Sequence, residues 1–407
     1  MMKKIIMAAS VLCVALMAAS CIYPFTPEVE DGSGTLVVEG DIFVGEFTSV
    51  SLSYAAPIGR KIEYSYPYGG EVWVEDDAGT MFFGQLVGSG SVDSEDAATF
   101  RIDTRDADPS RSFRLHVMLR DRGREYVSSW EQVRPAPVID SLSYNLDFDR
   151  SRLNIALSMH SGSESYFKWD YIEDWEYHAL YNSVLKAEIN RNNWWGHETI
   201  SVWDVRAMDY AKENLYYCYG HEVSKKIMIF STEKQTDDRF VDLEFRPIPR
   251  DDLRISYLYR IAVMLEPLSP DAYKYWQNIN ANSDYGGDLF APNPSEMVGN
   301  IRCVQDPDVF VIGYISVAQR ARKELTLDAA DHKFFKLKEQ YAEERLIGSG
   351  EWTTYYVDSL YRPYKWYIPD DKSQTYWLPE RCVDCMKRGT GSVASVSRNK
   401  PDNWPPQ

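Results

Sequence analysis

Glu71-Val72-Trp73-Val74-Glu75, then Asp76-Asp77-Ala78-Gly79, then Met81-Phe82-Phe83: this stretch sets the fold class. Val72 and Val74 alternate with polar or amphipathic neighbours, which is the two-residue period of a half-buried strand. The Asp-Asp-Ala-Gly segment is turn chemistry, and the apolar run resumes on its far side as the second arm of a hairpin does. The same alternation extends outward in both directions. Upstream it holds at Leu36 and Val38, then at Val50, Leu52 and Tyr54. Downstream it holds at Phe100 and Ile102, at Phe113, Leu115, Val117 and Leu119, and over Arg124 to Trp130. Helical periodicity is absent throughout. About seven short strands separated by turn residues predict a β-sandwich over residues 35–134.

Arg134-Pro135-Ala136-Pro137 ends that block, because two prolines disfavour both helix and central strand. A second β-sandwich, immunoglobulin/fibronectin-like, is expected over 138–325. It opens with Val138 to Tyr144 and continues at Leu153–Met159, Tyr166–Trp175, Lys226–Ser231, Phe240–Phe245 and Leu258–Leu265. A helix interrupts it: Ser269 is a cap residue, Pro270 suits the first helical position, and Ala272, Tyr275, Trp276 and Ile279 share a face. Val309 to Val317 reads as a returning strand with Gly313 as a bulge. Beyond Leu325 a helix over Phe334 to Leu346 is expected, then an irregular, aromatic-rich tail; 326–407 forms a C-terminal extension.

The amino terminus has a different character. Lys3 and Lys4 precede an apolar run from Ile5 to Ala19, which ends in Ala18-Ala19-Ser20 before Cys21. That is a secretory signal over residues 1–20, shorter than the ~20 apolar residues of a spanning helix. Its end resembles the bacterial lipobox, in which the Cys is acylated and becomes the first residue of the mature chain. Cys21 is therefore the expected lipidation site, with 21–34 a tether stiffened by Pro24 and Pro27. The 407 residues carry 44 basic and 61 acidic side chains, a net charge of −17. That sign opposes general nucleic-acid binding. It also makes lipid, rather than the protein surface, the expected means of holding an anionic bilayer.

After Cys13 and Cys21, four cysteines remain: Cys218, Cys303, Cys382 and Cys385. An even number in an exported chain predicts two disulfides, with three connectivities open. The Cys382-x-x-Cys385 spacing also matches half a zinc site or a redox pair, but a second such pair and a thioredoxin-like pattern are missing.

Motifs of catalysis fail one by one. His197-Glu198 lacks the second His of a zinc helix. No G-x-S-x-G elbow and no phosphate loop occur; Gly88-Ser89-Gly90-Ser91 reads as a turn. Asp170, Glu173, Asp174 and Glu176 read as the solvated face of one strand, not as two carboxylates facing across a cleft. His116, between Leu115 and Val117, reads as a surface residue, and the six His show no ligand spacing. Trp194-Trp195, beside Asn192, Asn193 and Gly196, are adjacent bulky aromatics where no alternation buries both; interdomain packing or partner binding explains them. No metal and no cofactor are expected.

Several short motifs, in order, resemble a family. They are Pro24-Phe25-Thr26-Pro27, the opening strand Leu36 to Gly40, and Ile139-Asp140-Ser141-Leu142. Gly299-Asn300-Ile301, Asp306-Pro307-Asp308 and Gly313-Tyr314 follow, then Cys382-x-Asp384-Cys385 and Lys400-Pro401-x-x-Trp404. With the lipobox they resemble a domain-of-unknown-function lipoprotein family of Bacteroidetes outer membranes. The resemblance implies a transthyretin-like or carboxypeptidase-regulatory first sandwich, and Cys303 falls outside its pattern. It implies a lipid-anchored outer-membrane location, on the periplasmic or the cell-surface face. It also implies a non-enzymatic accessory role beside a TonB-dependent receptor, in nutrient uptake or envelope assembly. A structural or adhesive envelope protein and a hydrolase with an unrecognised site are the alternatives.

Overall fold

The computed structural model describes residues 35–55, 69–88, 98–120, 122–194, 197–224, 226–233, 238–284, 299–336, 343–368, 371–388, 395–401 and 404. The Cys21 site, the tether, Trp195 and the Ser89-Gly90-Ser91 turn lie outside these residues.

The first module contains β1 (Leu36–Phe43), β2 (Phe47–Tyr54), β3 (Gly70–Asp76), β4 (Met81–Gly88), β5 (Ala98–Asp103), β6 (Ser112–Leu119), β7 (Arg124–Ser128) and the short β8 (Glu131–Gln132). The hairpin read first from sequence is β3–β4, with Trp73 opposite Phe83. Strand β4 then changes partners. It pairs with β3 up to Phe83 and with β5 from Gly84 onward, so one strand joins two sheet faces. Gly84 suits this corner, because a Cβ there would sit 2.9 Å from the Val72 carbonyl oxygen. Leu36, Val50, Leu52, Val74, Ile102, Phe113 and Val117 fill the space between the faces. The alternation picked out this core correctly.

The second module holds β9 (Val138–Asp147), β10 (Arg152–His160), β11 (Tyr166–His178), the hairpin β12 (Leu185–Trp194) and β13 (His197–Ala207), helix α1 (Tyr210–Glu213), β14 (Tyr217–Val223), β15 (Met228–Ser231), β16 (Arg239–Pro249), β17 (Leu258–Pro267) and helix α2 (Pro270–Asp284). Ser269 caps α2 as expected, its hydroxyl accepting from the Ala272 amide at 3.0 Å. One sheet runs β16-β10-β9; β17, β11 and β14 are consecutive in the other. Leu153, Ile155 and Leu157 from the first sheet pack on Phe167, Trp169 and Trp175 from the second.

The chain next returns to the first module. Strands β18 (Ile301–Cys303), β19 (Val311–Ile312) and β20 (Val317–Ala318) pair with β7 and β1, not with the second sandwich to which Val309–Val317 was expected to belong. The returning segment is not one strand. Between β19 and β20 the backbone bulges out at Gly313, whose φ of +147° and whose place 2.3 Å (as a built Cβ) from the Val38 carbonyl oxygen exclude a side chain. The two runs are too short for a period to show, and their partners lie more than 250 positions away in sequence, so local pattern reading could not place them.

The remaining chain forms β21 (Ala321–Asp328), α3 (Ala329–His332), β22 (Arg345–Gly348), α4 (Trp352–Val357), β23 (Tyr361–Ile368), β24 (Asp371–Pro379), α5 (Glu380–Val383) and β25 (Ser395–Ser397). The helix expected over Phe334–Leu346 is not borne out where that stretch is described. Lys333 takes a left-handed conformation that ends α3, Phe334 is buried beyond it, and Arg345–Gly348 is a strand; 337–342 lie outside the described residues. The tail is more regular than expected. Strands β22, β24 and β23 form an antiparallel sheet that packs with α4 on the β12–β13 hairpin, through Leu185, Val205, Ile347, Trp352 and Trp377.

Of the cysteines, Cys218 and Cys385 form a disulfide across 167 positions; Cys303 and Cys382 are buried and not disulfide-bonded. The second expected bridge is absent because these two thiols sit in different cores, Cys303 in the first module and Cys382 beneath β23 and β24. Replacing Cys218 and Cys385 together by Ser should lower stability by about 2–4 kcal/mol, read as a fall in the urea midpoint that dithiothreitol reproduces in the unmodified protein.

Candidate functional site

Strand β11 organises the charged groups. Its odd-numbered residues face the partner sheet and its even-numbered residues face outward. Of the carboxylates expected to be a solvated face, Glu173, Asp174 and Glu176 are in fact covered, and each has partners; Asp170 is half-buried. Glu173, fully buried, receives Arg246 at 2.8 and 2.9 Å and the Tyr259 hydroxyl at 2.5 Å. Asp174 accepts from Arg260 at 2.5 Å and lies 2.7 Å from His221 Nδ1. Glu176 is held by His178 at 2.8 Å and by the Trp404 indole N–H at 2.7 Å. Burial pushes Glu176 up, but those two hydrogen bonds outweigh it and hold it below the ordinary glutamate value. The sequence reading failed because the covering groups come from β16, β17 and the last residues of the chain.

At the other end of β11, Lys168 joins the two modules. Its ammonium lies 2.6 Å from Asp41 of β1 and 2.6 Å from Glu266 of β17, with the Trp276 ring 4.5 Å away. All three charged residues are at most 8% exposed. Asp41 also accepts the Ser316 amide at 2.9 Å. Burial raises Glu266 to about 8, aided by the charges of Asp41 and Asp170 and opposed by Lys168. These groups hold one another, and no cluster of three or more His, Cys, Asp or Glu suited to a metal occurs among the described residues.

His116 also departs from expectation. It faces outward from β6, but the Trp73 ring stacks on it at 4.7 Å and its nitrogens lie 2.8 and 2.9 Å from Glu75 and Glu125, so it is buried. Trp194 is the last residue of β12, opposite His197 at the end of the hairpin, and so sits at a tip rather than in a loop between modules. Trp203, on β13 of the same hairpin, is 61% exposed; the sequence reading passed over it because it lies inside an alternating strand.

A cavity of about 570 Å³ opens where the base of this hairpin meets α1, the C-terminal sheet and the tail. Lys186 and Glu213 line one side, with Nζ 2.7 Å from the carboxylate. Arg362 and Glu380, 2.9 Å apart, line another. Arg398 from the tail closes on both oxygens of Asp384 at 2.7 and 2.6 Å. Tyr210 and Tyr356 add ring surface. The Cys218–Cys385 bridge anchors the Asp384 loop next to it. Apart from Asp384 of the Cys382-x-Asp384-Cys385 motif, no sequence signal pointed here, because the lining is drawn from stretches scattered between Leu185 and Asn399.

Residues 22–324 match the family described as Domain of unknown function (DUF4249). The chain belongs to that family. A search of curated proteins finds no match. Among solved structures, one match is titled "Complete structure of manganese lipoxygenase of Gaeumannomyces graminis and partial structure of zonadhesin of Komagataella pastoris". It is 11% identical, covers 59% of this chain and 91% of that one, and has a TM-score of 0.16, too low to carry an argument.

In this DUF4249 chain three of the short motifs are structural pins. Asn300 clamps Ile315 by two hydrogen bonds of 2.8 Å and gives its carbonyl to the Ser129 amide. Asp306 closes the turn before β19, accepting from Asp308 and Val309. Tyr314 meets Ser269 at the start of α2. No helix among the described residues is long and apolar enough to cross a membrane, a statement about helices alone.

Lys168→Met removes the cation facing buried Asp41 and Glu266 and should cost about 3–5 kcal/mol, measured by urea unfolding. Glu266 titrates higher folded than unfolded, so folding takes up a proton there and its contribution falls as pH rises from 4.5 towards 8. Melting scans of Glu266→Gln against the parent should therefore show the variant gaining relative stability steadily from pH 5 to pH 8; a constant gap would contradict the assignment.

Proposed function

We propose that this protein is a lipid-anchored lipoprotein of the outer membrane that works without catalysis as a partner of a TonB-dependent receptor, in nutrient uptake or envelope assembly. The observation that carries this reading is the Ala18-Ala19-Ser20-Cys21 stretch behind a lysine-led apolar run. The first core strand begins at Leu36, so a lipid on Cys21 would hold the folded body close to the bilayer through residues 22–34. Membership of the family supports the reading through the resemblance already described. So does β4, where Met81, Phe83 and Val87, on alternate positions, and Leu86 are each more than half exposed, apolar surface of the kind that marks protein contacts.

Cys21→Ser should move the protein from the membrane fraction to the soluble fraction of its native host, with intact mass showing acylation only in the parent. Detergent extracts of the parent at native expression should yield a stoichiometric outer-membrane receptor on affinity purification. Retention of the Ser variant in the membrane, or purification without any receptor, would defeat the proposal.

A further inference from the structure

The cavity between hairpin, α1 and tail has an imbalance in its hydrogen bonding. Its carboxylates are engaged: Glu213 by Lys186 and Arg206, Glu380 by Arg362, and Asp384 by Arg398 and the Met386 amide. Its basic groups keep capacity. Among the described residues Arg398 reaches Asp384 through Nη2 alone, which leaves Nη1 and Nε. Lys212, 82% exposed, has Asp209 as its one ion-pair partner among the described residues, at 3.5 Å. Asn214 uses its side-chain oxygen on the Tyr216 and Tyr217 amides, and its NH₂ has no partner among the described residues. What the cavity has to offer is donors.

The local charge has the same bias. Four basic side chains line the space against three carboxylates, in a chain whose net charge is −17. A cation would find the oxygens of Glu213 and Asp384 taken, whereas an anion would find a guanidinium edge and an exposed ammonium. The size falls in the ~300–1,000 Å³ range of small-molecule sites. Apolar atoms of Met208 and Leu215, together with the ring of Tyr210, suit the face of a small ring, and the Asn214 amide suits hydroxyl acceptors.

We propose that this cavity binds a small carboxylated sugar of the uronic-acid class, its carboxylate seated between Arg398 and Lys212 and its ring against Tyr210. The proposal does not depend on a receptor partner. It predicts a site private to this chain, so its failure would leave the preceding reading standing, and the reverse also holds.

The test uses the full mature chain with the disulfide intact and three probes: glucuronate, glucose and acetate. Titration calorimetry and saturation-transfer NMR at low salt should show glucuronate binding, with glucose and acetate at least about tenfold weaker, since each lacks half of the recognised chemistry. Lys212→Gln, at an exposed position, should keep the parent melting temperature and weaken glucuronate at least about threefold. Arg398→Gln should weaken it further. Rising ionic strength should weaken the parent more than Lys212→Gln. The proposal is overturned if glucuronate does not bind, if glucose matches it, if acetate displaces it at equal concentration, or if both variants bind as the parent does.

Discussion

The buried ammonium of Lys168 is the constraint on which the arrangement of modules depends. A charge removed from water costs several kcal/mol unless matched, and here the match comes from opposite sides of a boundary. Asp41 belongs to the first core strand and Glu266 to strand β17 of the second sandwich. Neither module alone presents both carboxylates. The Ser316 amide, bound to the same Asp41, ties the returning segment to the same point. A displaced boundary would strand three ionisable groups in an apolar setting, so the triad specifies one docking geometry even if its net contribution to stability is small.

The excursion of the chain makes that geometry possible. Between β8 and β18 the polypeptide builds most of the second sandwich and the hairpin arm, then comes back to complete the first sheet at both ends before β21 and β25 join the second. Asn300, Gly313 and Tyr314 lie where the return is tightest. A carbonyl 1.9 Å from where a Cβ would stand explains Gly299 opposite Gly313. Three of the motifs that carried the family resemblance, Gly299-Asn300-Ile301, Asp306-Pro307-Asp308 and Gly313-Tyr314, are therefore residues a re-entrant chain needs to pass close to its own earlier strands.

The C-terminal portion works in the same manner on the other side. The Cys218–Cys385 bridge, the Arg398–Asp384 pair and the Trp404–Glu176 hydrogen bond fasten the end of the chain across β14 and β11. The inserted hairpin β12–β13 would expose an apolar face alone; it is covered by a sheet formed more than 130 residues later. The cavity exists because these two late-meeting pieces do not close completely against α1.

By itself the sequence determined the fold class and the first core. Alternation at Leu36, Val50, Val74, Phe113 and Val117 is a property of neighbours two apart, so it survives without knowledge of partners, and Ser269-Pro270 announces its helix for the same local reason. Tertiary structure alone decided what lies over each strand. Burial of His116, Glu173, Asp174 and Glu176, the allegiance of β18–β20, the choice of Cys218 for Cys385, and the cavity all depend on contacts between residues tens to hundreds of positions apart. A polar side chain facing outward reads as solvated until a distant segment covers it and supplies the opposite charge, and no periodicity in the sequence records that meeting.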